Sequence, residues 1–172
     1  VGFTPESKLA VAFCKDGVMA IEAALYAAKT PTHHPLRENF SCTKFPLFAD
    51  VKMDFPLAKP IENISAFDES MQNVIAAKKN MQIAKVNFSV LRYSLEELDI
   101  KHEENTLDQI IFHLTSKDED KINDIYRQSL YVLKKKGRLL FIARETYDPS
   151  VSDKFKLIEK SKFCRGNSCL GV

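Results

Sequence analysis

The chain holds only four cysteines among its 172 residues: Cys14, Cys42, Cys164 and Cys169. They are too few and too scattered for a disulfide scaffold in a chain long enough to form a core, so reduced thiols are expected. Cys164 and Cys169 are close neighbours, but they lack the two-residue gap of a zinc knuckle and no histidine follows in register, so no metal site is expected. Charge of one sign is lacking too. Lys plus Arg number 25 and Asp plus Glu 23, a net charge of +2 that gives no global pull toward nucleic acid, so any basic footprint must be local. No apolar stretch approaches the roughly 18–20 residues of a membrane span. The opening VGFTPESK lacks the basic-then-apolar build of a signal peptide. These absences predict a soluble, cytoplasmic protein with no membrane contact. No internal repeat or low-complexity tract appears either. With 45% hydrophobic residues the chain can bury one sizeable core, and residues 1–172 are expected to form a single domain.

What is present is an alternation of strand and helix patterns. Residues 107–144 read as buried strand, loop, amphipathic helix, glycine turn and buried strand. Leu107, Ile110, Ile111 and Phe112 suit a parallel strand covered on both faces, as do Leu139 to Ala143. Between them Ile122, Ile125, Tyr126, Ser129, Leu130 and Leu133 recur at helical spacing, with Lys134, Lys135 and Lys136 at the helix end and Gly137 as its stop. Upstream, KLAVAF at residues 8–13 is a strand, residues 18–29 a helix, residues 61–67 a strand ending in Asp68, and Ser70 the cap of a helix to Met81. Residues 86–91 form a third strand and residues 95–98 a helical turn. The segment at about residues 30–60, with five prolines, is expected to be a long irregular insert. Residues 155–162 and 168–172 read as a closing hairpin. The predicted fold is α/β: a doubly wound, mostly parallel sheet with a C-terminal antiparallel hairpin.

In such a sheet ligands bind beyond the carboxyl ends of the strands, where the winding reverses. That gathers the loops at residues 13–17, 68–70, 93–95 and 113–117. Gly17, at a helix start, lets backbone approach a ligand and its neighbouring N–H groups favour an anion. Asp68, at the end of the second strand, stands where an acid takes ribose hydroxyls, or is a plain helix-capping acid before Glu69 and Ser70. His33 and His34 read as a solvated loop rather than metal ligands. Arg37, Lys44 and Lys52, interleaved with Phe40, Phe45 and Phe48, look like a cation-plus-aromatic surface for single-stranded or flipped nucleotides, although phenylalanines of this kind also anchor an insert on a sheet.

The segment FCKDGVMAIEAALYAA resembles the D-P-F-C-G-S-G-T-x-x-I-E-A-A-L signature of RNA methyltransferases that act on guanine N2, including those joined to a THUMP domain. HHPLRENFSCTKFP is similar to the insert that follows it there, and residues 64–99 to the second and third motifs. The resemblance implies a Rossmann-like methyltransferase fold with S-adenosylmethionine held by Phe13, Cys14, Lys15, Asp16 and Gly17, with Asp68 and Glu69 at the ribose and Ser94 and Leu95 near the adenine. It also implies RNA, with tRNA the expected substrate, and a separate RNA-binding domain or subunit as partner. Lys15 stands where the family has its first glycine and Asp16 where it has serine. The family's third acid falls on Tyr93 or Ser94. The Asn-Pro-Pro-Tyr motif of amino-group methylation falls on His113, Leu114, Thr115 and Ser116, leaving His113 and Thr115 as the candidate catalytic residues. His113 can accept a hydrogen bond or act as a base near neutral pH, or be a structural strand-end histidine. Three readings follow: an RNA methyltransferase, a methyltransferase-fold binding module without catalysis, and a small-molecule methyltransferase.

Overall fold

The structure, a computed structural model, describes residues 2–30, 44–48, 61–115, 118–144, 149–165 and 168–172. Most of the insert expected at about residues 30–60, including Arg37, lies outside the described residues.

Strand β1 (Leu9–Ala12) is buried at every residue and lies between two parallel neighbours, β2 (Ile64–Asp68) and β4 (Leu107–His113). Beyond β2 runs β3 (Ser89–Arg92), and beyond β4 runs β5 (Leu133–Arg144), both parallel. The hairpin of β6 (Lys162–Arg165) and β7 (Ser168–Gly171) adds antiparallel through β7, giving the order β3-β2-β1-β4-β5-β7-β6. The winding therefore reverses at β1, and a crevice opens beyond the carboxyl ends of β1 and β4.

Parallel strands need crossovers, and the helices that supply them cover both faces. Alternation along β1 sends Leu9 and Val11 toward α1 (Val18–Ala27) and α2 (Met71–Ile83), where Ala20, Ala24, Val74 and Ala77 complete one core layer. Ala10 and Ala12 face the other layer, built with Phe67 and Phe112 beneath α3 (Leu98–Lys101) and α4 (Glu119–Val132). Each fully buried phenylalanine there contributes about 1.5–3 kcal/mol by leaving water. Small residues let α1 lie close to α2: a methyl group on Gly17 would approach the Ala77 Cβ to 2.8 Å.

Three elements differ from expectation. The helix α4 ends at Val132, so Lys134, Lys135 and Lys136 are not its last turn. Strand β5 starts at once: Leu133 pairs with Leu107, and the chain bulges before Arg138 meets Gln109. Lys136 takes φ 69° in that bulge, and the Lys134 ammonium is held 2.8 Å from Asp108, which also accepts the Lys8 N–H. The helical period survived into the sequence of the bulge because Leu133 is buried as a strand residue too. The hairpin is present, but its first strand is 162–165 rather than 155–162. Phe155 instead packs on Tyr126, 5.2 Å between ring centroids, and the Tyr126 hydroxyl donates to the Ser150 carbonyl. Lastly, Cys164 is disulfide-bonded, which overturns the expectation of reduced thiols there while Cys14 remains free. The β6–β7 register sets Cys164 opposite Cys169, and opposed strand residues lie within the Cα spacing that disulfides span. Among the described residues no helix is long and apolar enough to cross a membrane, and no group of ligating side chains is arranged for a metal ion.

Gly17→Ala is expected to destabilise the protein by about 2–3 kcal/mol, because it adds a clash with α2 to a left-handed backbone. Urea unfolding of the two proteins checks this, and equal midpoints would show that α1 and α2 can separate freely.

Candidate functional site

The loop between β1 and α1 carries an unusual run of backbone conformations. Phe13 (φ 52°), Lys15 (φ 51°) and Gly17 (φ 79°) are all left-handed. For Phe13 and Lys15 that geometry costs roughly 1–3 kcal/mol each. Lys15 occupies the position where the resembling family has glycine, and the backbone keeps the conformation that favours glycine. The left-handed turn at Phe13 also breaks the strand alternation. Continued period two would send Phe13 to the α1–α2 layer and Cys14 to the α4 layer; the structure shows the reverse.

Asp68 holds this loop. Its side chain, on a residue only 5% exposed, accepts the Lys15 N–H at 3.0 Å on Oδ2, and the Ser70 N–H and the Asn73 amide on Oδ1, each at 2.9 Å. The Cys14 N–H donates to the Phe67 carbonyl one residue earlier, so the loop continues the β1–β2 ladder to its end. Asp68 is thus both a capping acid and a bridge between two strand ends. A carboxylate has about four acceptor positions, so three donors leave it capacity for a ligand hydroxyl.

Two adjoining cavities open beyond the strand ends. The smaller, of about 180 Å³, gathers Phe13, Lys15, Asp68, Glu69, His113 and Thr115 from the loops after β1, β2 and β4. The larger, of about 760 Å³, reaches Ser94 and Leu95 after β3. Both are bounded by Glu69, Asp118 and Lys121. Lys121, in the first turn of α4, crosses the junction: its Nζ is 4.4 Å from the centroid of the Phe13 ring and 3.8 Å from Glu69 Oε1. The side chains of that ion pair are 39% and 47% exposed, so it holds its geometry weakly.

Of the residues expected at the cofactor, Phe13, Lys15, Asp68, Glu69, Ser94 and Leu95 border this cleft. Cys14, Asp16 and Gly17 border neither cavity. The Cys14 thiol is packed among α1 and α2, and burial first, then the Asp68 charge, pushes its pKa up to about 12, so it stays protonated and inert. Asp16 offers its carbonyl to the Asn80 amide at 2.9 Å, tying the loop to α2. Gly17 lies against Ala77 of α2, where a Cβ would meet the Ala77 Cβ at 2.8 Å. Ser94 shapes a turn: its N–H donates to the Glu97 carboxylate at 2.9 Å, as in a capping box, while Leu95 is buried. Tyr93 is core, stacked on Phe67 at 4.1 Å with its hydroxyl 3.1 Å from His102 Nε2. Lys44 is exposed, and Arg37 lies outside the described residues.

His113 and Thr115 both face the small cavity. The Lys15 Nζ is 3.4 Å from His113 Nε2, and an ammonium can only donate, so Nε2 accepts. Burial first and the Lys15 charge second lower the His113 pKa, which keeps the ring neutral. Lys121, Asn73 and Asp118 were not legible as site residues. Asp118 had a local signal, an acid ahead of a helix whose N–H groups at Asp120 and Lys121 it accepts. Lys121 and Asn73 had none, because their partners come from other elements.

The sheet order, the reversal at β1 and the cleft over Asp68 define the class: a Rossmann-like methyltransferase fold. A family model for the RMKL-like methyltransferase domain matches residues 1–167, and the chain belongs to that family. No curated protein sequence matches the chain. Among solved structures it resembles a protein of Haemophilus influenzae assigned as a methylase, at 12% identity over 96% of this chain and 84% of that one, with a TM-score of 0.59. It also resembles the YcgJ protein of Bacillus subtilis, at 13% identity over 83% of this chain and 46% of that one, with a TM-score of 0.52. The chain spans 40% to 50% of the length of several solved methyltransferases that it matches. The cofactor of the class is S-adenosylmethionine, and the residues present fit it: Asp68 has acceptor capacity for the ribose, and the larger cavity, about 760 Å³, falls in the range of about 300–1,000 Å³ that ligands of this size occupy.

The pH dependence of stability follows from His102 and His113. Both have pKa values lowered from 6.5, mainly by burial. The unfolded chain therefore binds more protons than the folded one just below pH 6.5, and stability should fall as pH drops through that point toward the lowered values. Denaturant midpoints measured from pH 7.5 to 5 check this. The double variant His102→Gln, His113→Gln should flatten the fall, and a profile as steep as wild type would place its origin elsewhere.

Proposed function

We propose that the protein is an S-adenosylmethionine-dependent methyltransferase acting on RNA, with a tRNA guanine N2 as the acceptor. The observation that carries this reading is the meeting of the loops after β1, β2 and β4 around Asp68 in one cleft. The cofactor supplies an electrophilic methyl group on a positively charged sulfur. Asp68 would accept hydrogen bonds from the ribose hydroxyls, and the loop it anchors would bound the methionine end. His113, neutral and facing the cavity, accepts the proton that an amine sheds on methylation, once its Nε2 exchanges the Lys15 ammonium for the acceptor. The exposed Thr115 hydroxyl and the backbone carbonyls beside it offer hydrogen-bond partners that aim the amine. The RNA itself is held by basic side chains such as Lys44 and Arg37, together with a separate RNA-binding domain or subunit.

One specific observation favours a second reading, a binding module without turnover. Where amino-group methyltransferases of the resembling family stack an aromatic ring on the base, this chain has His113, Leu114, Thr115 and Ser116.

Methyl transfer from labelled S-adenosylmethionine separates the readings. Label is expected in bulk tRNA and not in a small-molecule extract. Label only in the extract overturns the RNA assignment, and cofactor binding without transfer to either selects the binding module. By calorimetry Asp68→Ala should weaken cofactor binding by about 1–3 kcal/mol, the cost of losing a charged acceptor. An unchanged Kd removes Asp68 from the site.

A further inference from the structure

Lys121 crosses the cleft although the packing of α4 does not require it. Ile122 and Ile125 bind the helix to the sheet, whereas the Lys121 side chain is 39% exposed. Its ammonium nevertheless lies 4.4 Å over the Phe13 ring and 3.8 Å from the Glu69 carboxylate. An aromatic face with a carboxylate beside it is what a cation seeks. Phe13 presents that face only because its backbone is left-handed, a strained conformation that reverses the strand alternation. Its ring is braced from behind by Phe112, 5.6 Å between centroids, and by Phe67 at 6.4 Å. The chain thus spends conformational energy to offer a braced aromatic face at the junction of the two cavities.

The methyl donor of this class carries a fixed positive charge at sulfur, and loses it when the methyl group leaves. We propose that the Phe13 face, with Glu69 beside it, seats the sulfonium of the cofactor, and that binding exchanges the Lys121 ammonium for that sulfonium. The proposal rests on the cleft being the cofactor site. Two cations cannot share one ring face and one carboxylate without repulsion, so the charged cofactor displaces Lys121. The demethylated product is neutral at sulfur and has no such claim on the ring. Loss of the competing charge at methyl transfer restores the attraction of Lys121 to Phe13 and Glu69, and the ammonium returns there as the product leaves.

Lys121 therefore narrows the difference in affinity between S-adenosylmethionine and S-adenosylhomocysteine, while Phe13 widens it. Calorimetric titration of both ligands into wild type, Lys121→Met and Phe13→Leu reads this directly. Lys121→Met should tighten S-adenosylmethionine about two- to fivefold, the scale of a partly exposed cation–π contact, and leave S-adenosylhomocysteine unchanged. Phe13→Leu should weaken S-adenosylmethionine by a similar factor and the product less. Should Phe13→Leu lose its fold, Lys121→Met decides alone, since that side chain is half exposed. If both ligands bind wild type and Lys121→Met leaves their ratio unmoved, or weakens both alike, the exchange is overturned while the cofactor cleft stands. If neither binds wild type, the cleft itself is overturned, and the proposal with it.

Discussion

The carboxylate of Asp68 is the constraint on which the site depends. It sits at the end of β2, nearly buried, and gathers N–H groups from the loop after β1, from its own turn, and from α2. Hydrogen bonds to a charged acceptor contribute roughly 1.5–3 kcal/mol, which offsets the strain of the left-handed Phe13 and Lys15. With the loop held in that shape, Phe13 turns to the α4 side, Cys14 sinks between α1 and α2, and Lys15 reaches His113. Remove the carboxylate and each of these placements loses its cause.

The cleft is acidic although the composition of the chain is nearly even: Glu96, Glu97, Asp120 and Asp124 line the larger cavity, Asp68 the smaller, and Glu69 and Asp118 both, against Arg92, Lys15 and Lys121. Burial, and after it the Lys15 charge, lowers the His113 pKa; Lys121 faces Glu69 and the Phe13 ring. Family membership and fold give the class of cofactor, while the proposed acceptor side rests on His113 and Thr115, which line the smaller cavity and offer hydrogen bonding without an aromatic ring.

The fold was largely legible because its signals are local. Buried β-branched runs marked β1, β2 and β4, and the acid before Ser70 marked the end of β2 and the start of α2. What escaped was decided across space. Nothing in the sequence ties Asp68 to the Lys15 N–H, its partner 53 residues away. Strand periodicity fails at Phe13 because a backbone turn intervenes, so the Phe-Cys pair was read with both residues at the cofactor when only Phe13 borders the cleft. The contact of Gly17 with Ala77 was not legible, because it depends on how two helices meet. The helix period ran through Leu133 into a bulge, since a buried leucine serves either element. Cys164 was legible as a neighbour of Cys169, but only the hairpin register shows them opposed.

The central claim is that the strand ends after β1, β2, β3 and β4 form one cofactor cleft organised by Asp68. A crystal structure of the protein soaked with S-adenosylmethionine tests it most directly. The ribose hydroxyls are expected within hydrogen-bond distance of Asp68, with the adenine toward Ser94 and Leu95 and the sulfur over Phe13. A ligand seated elsewhere on the molecule, with Asp68 bonded only to Lys15, Ser70 and Asn73, would contradict it.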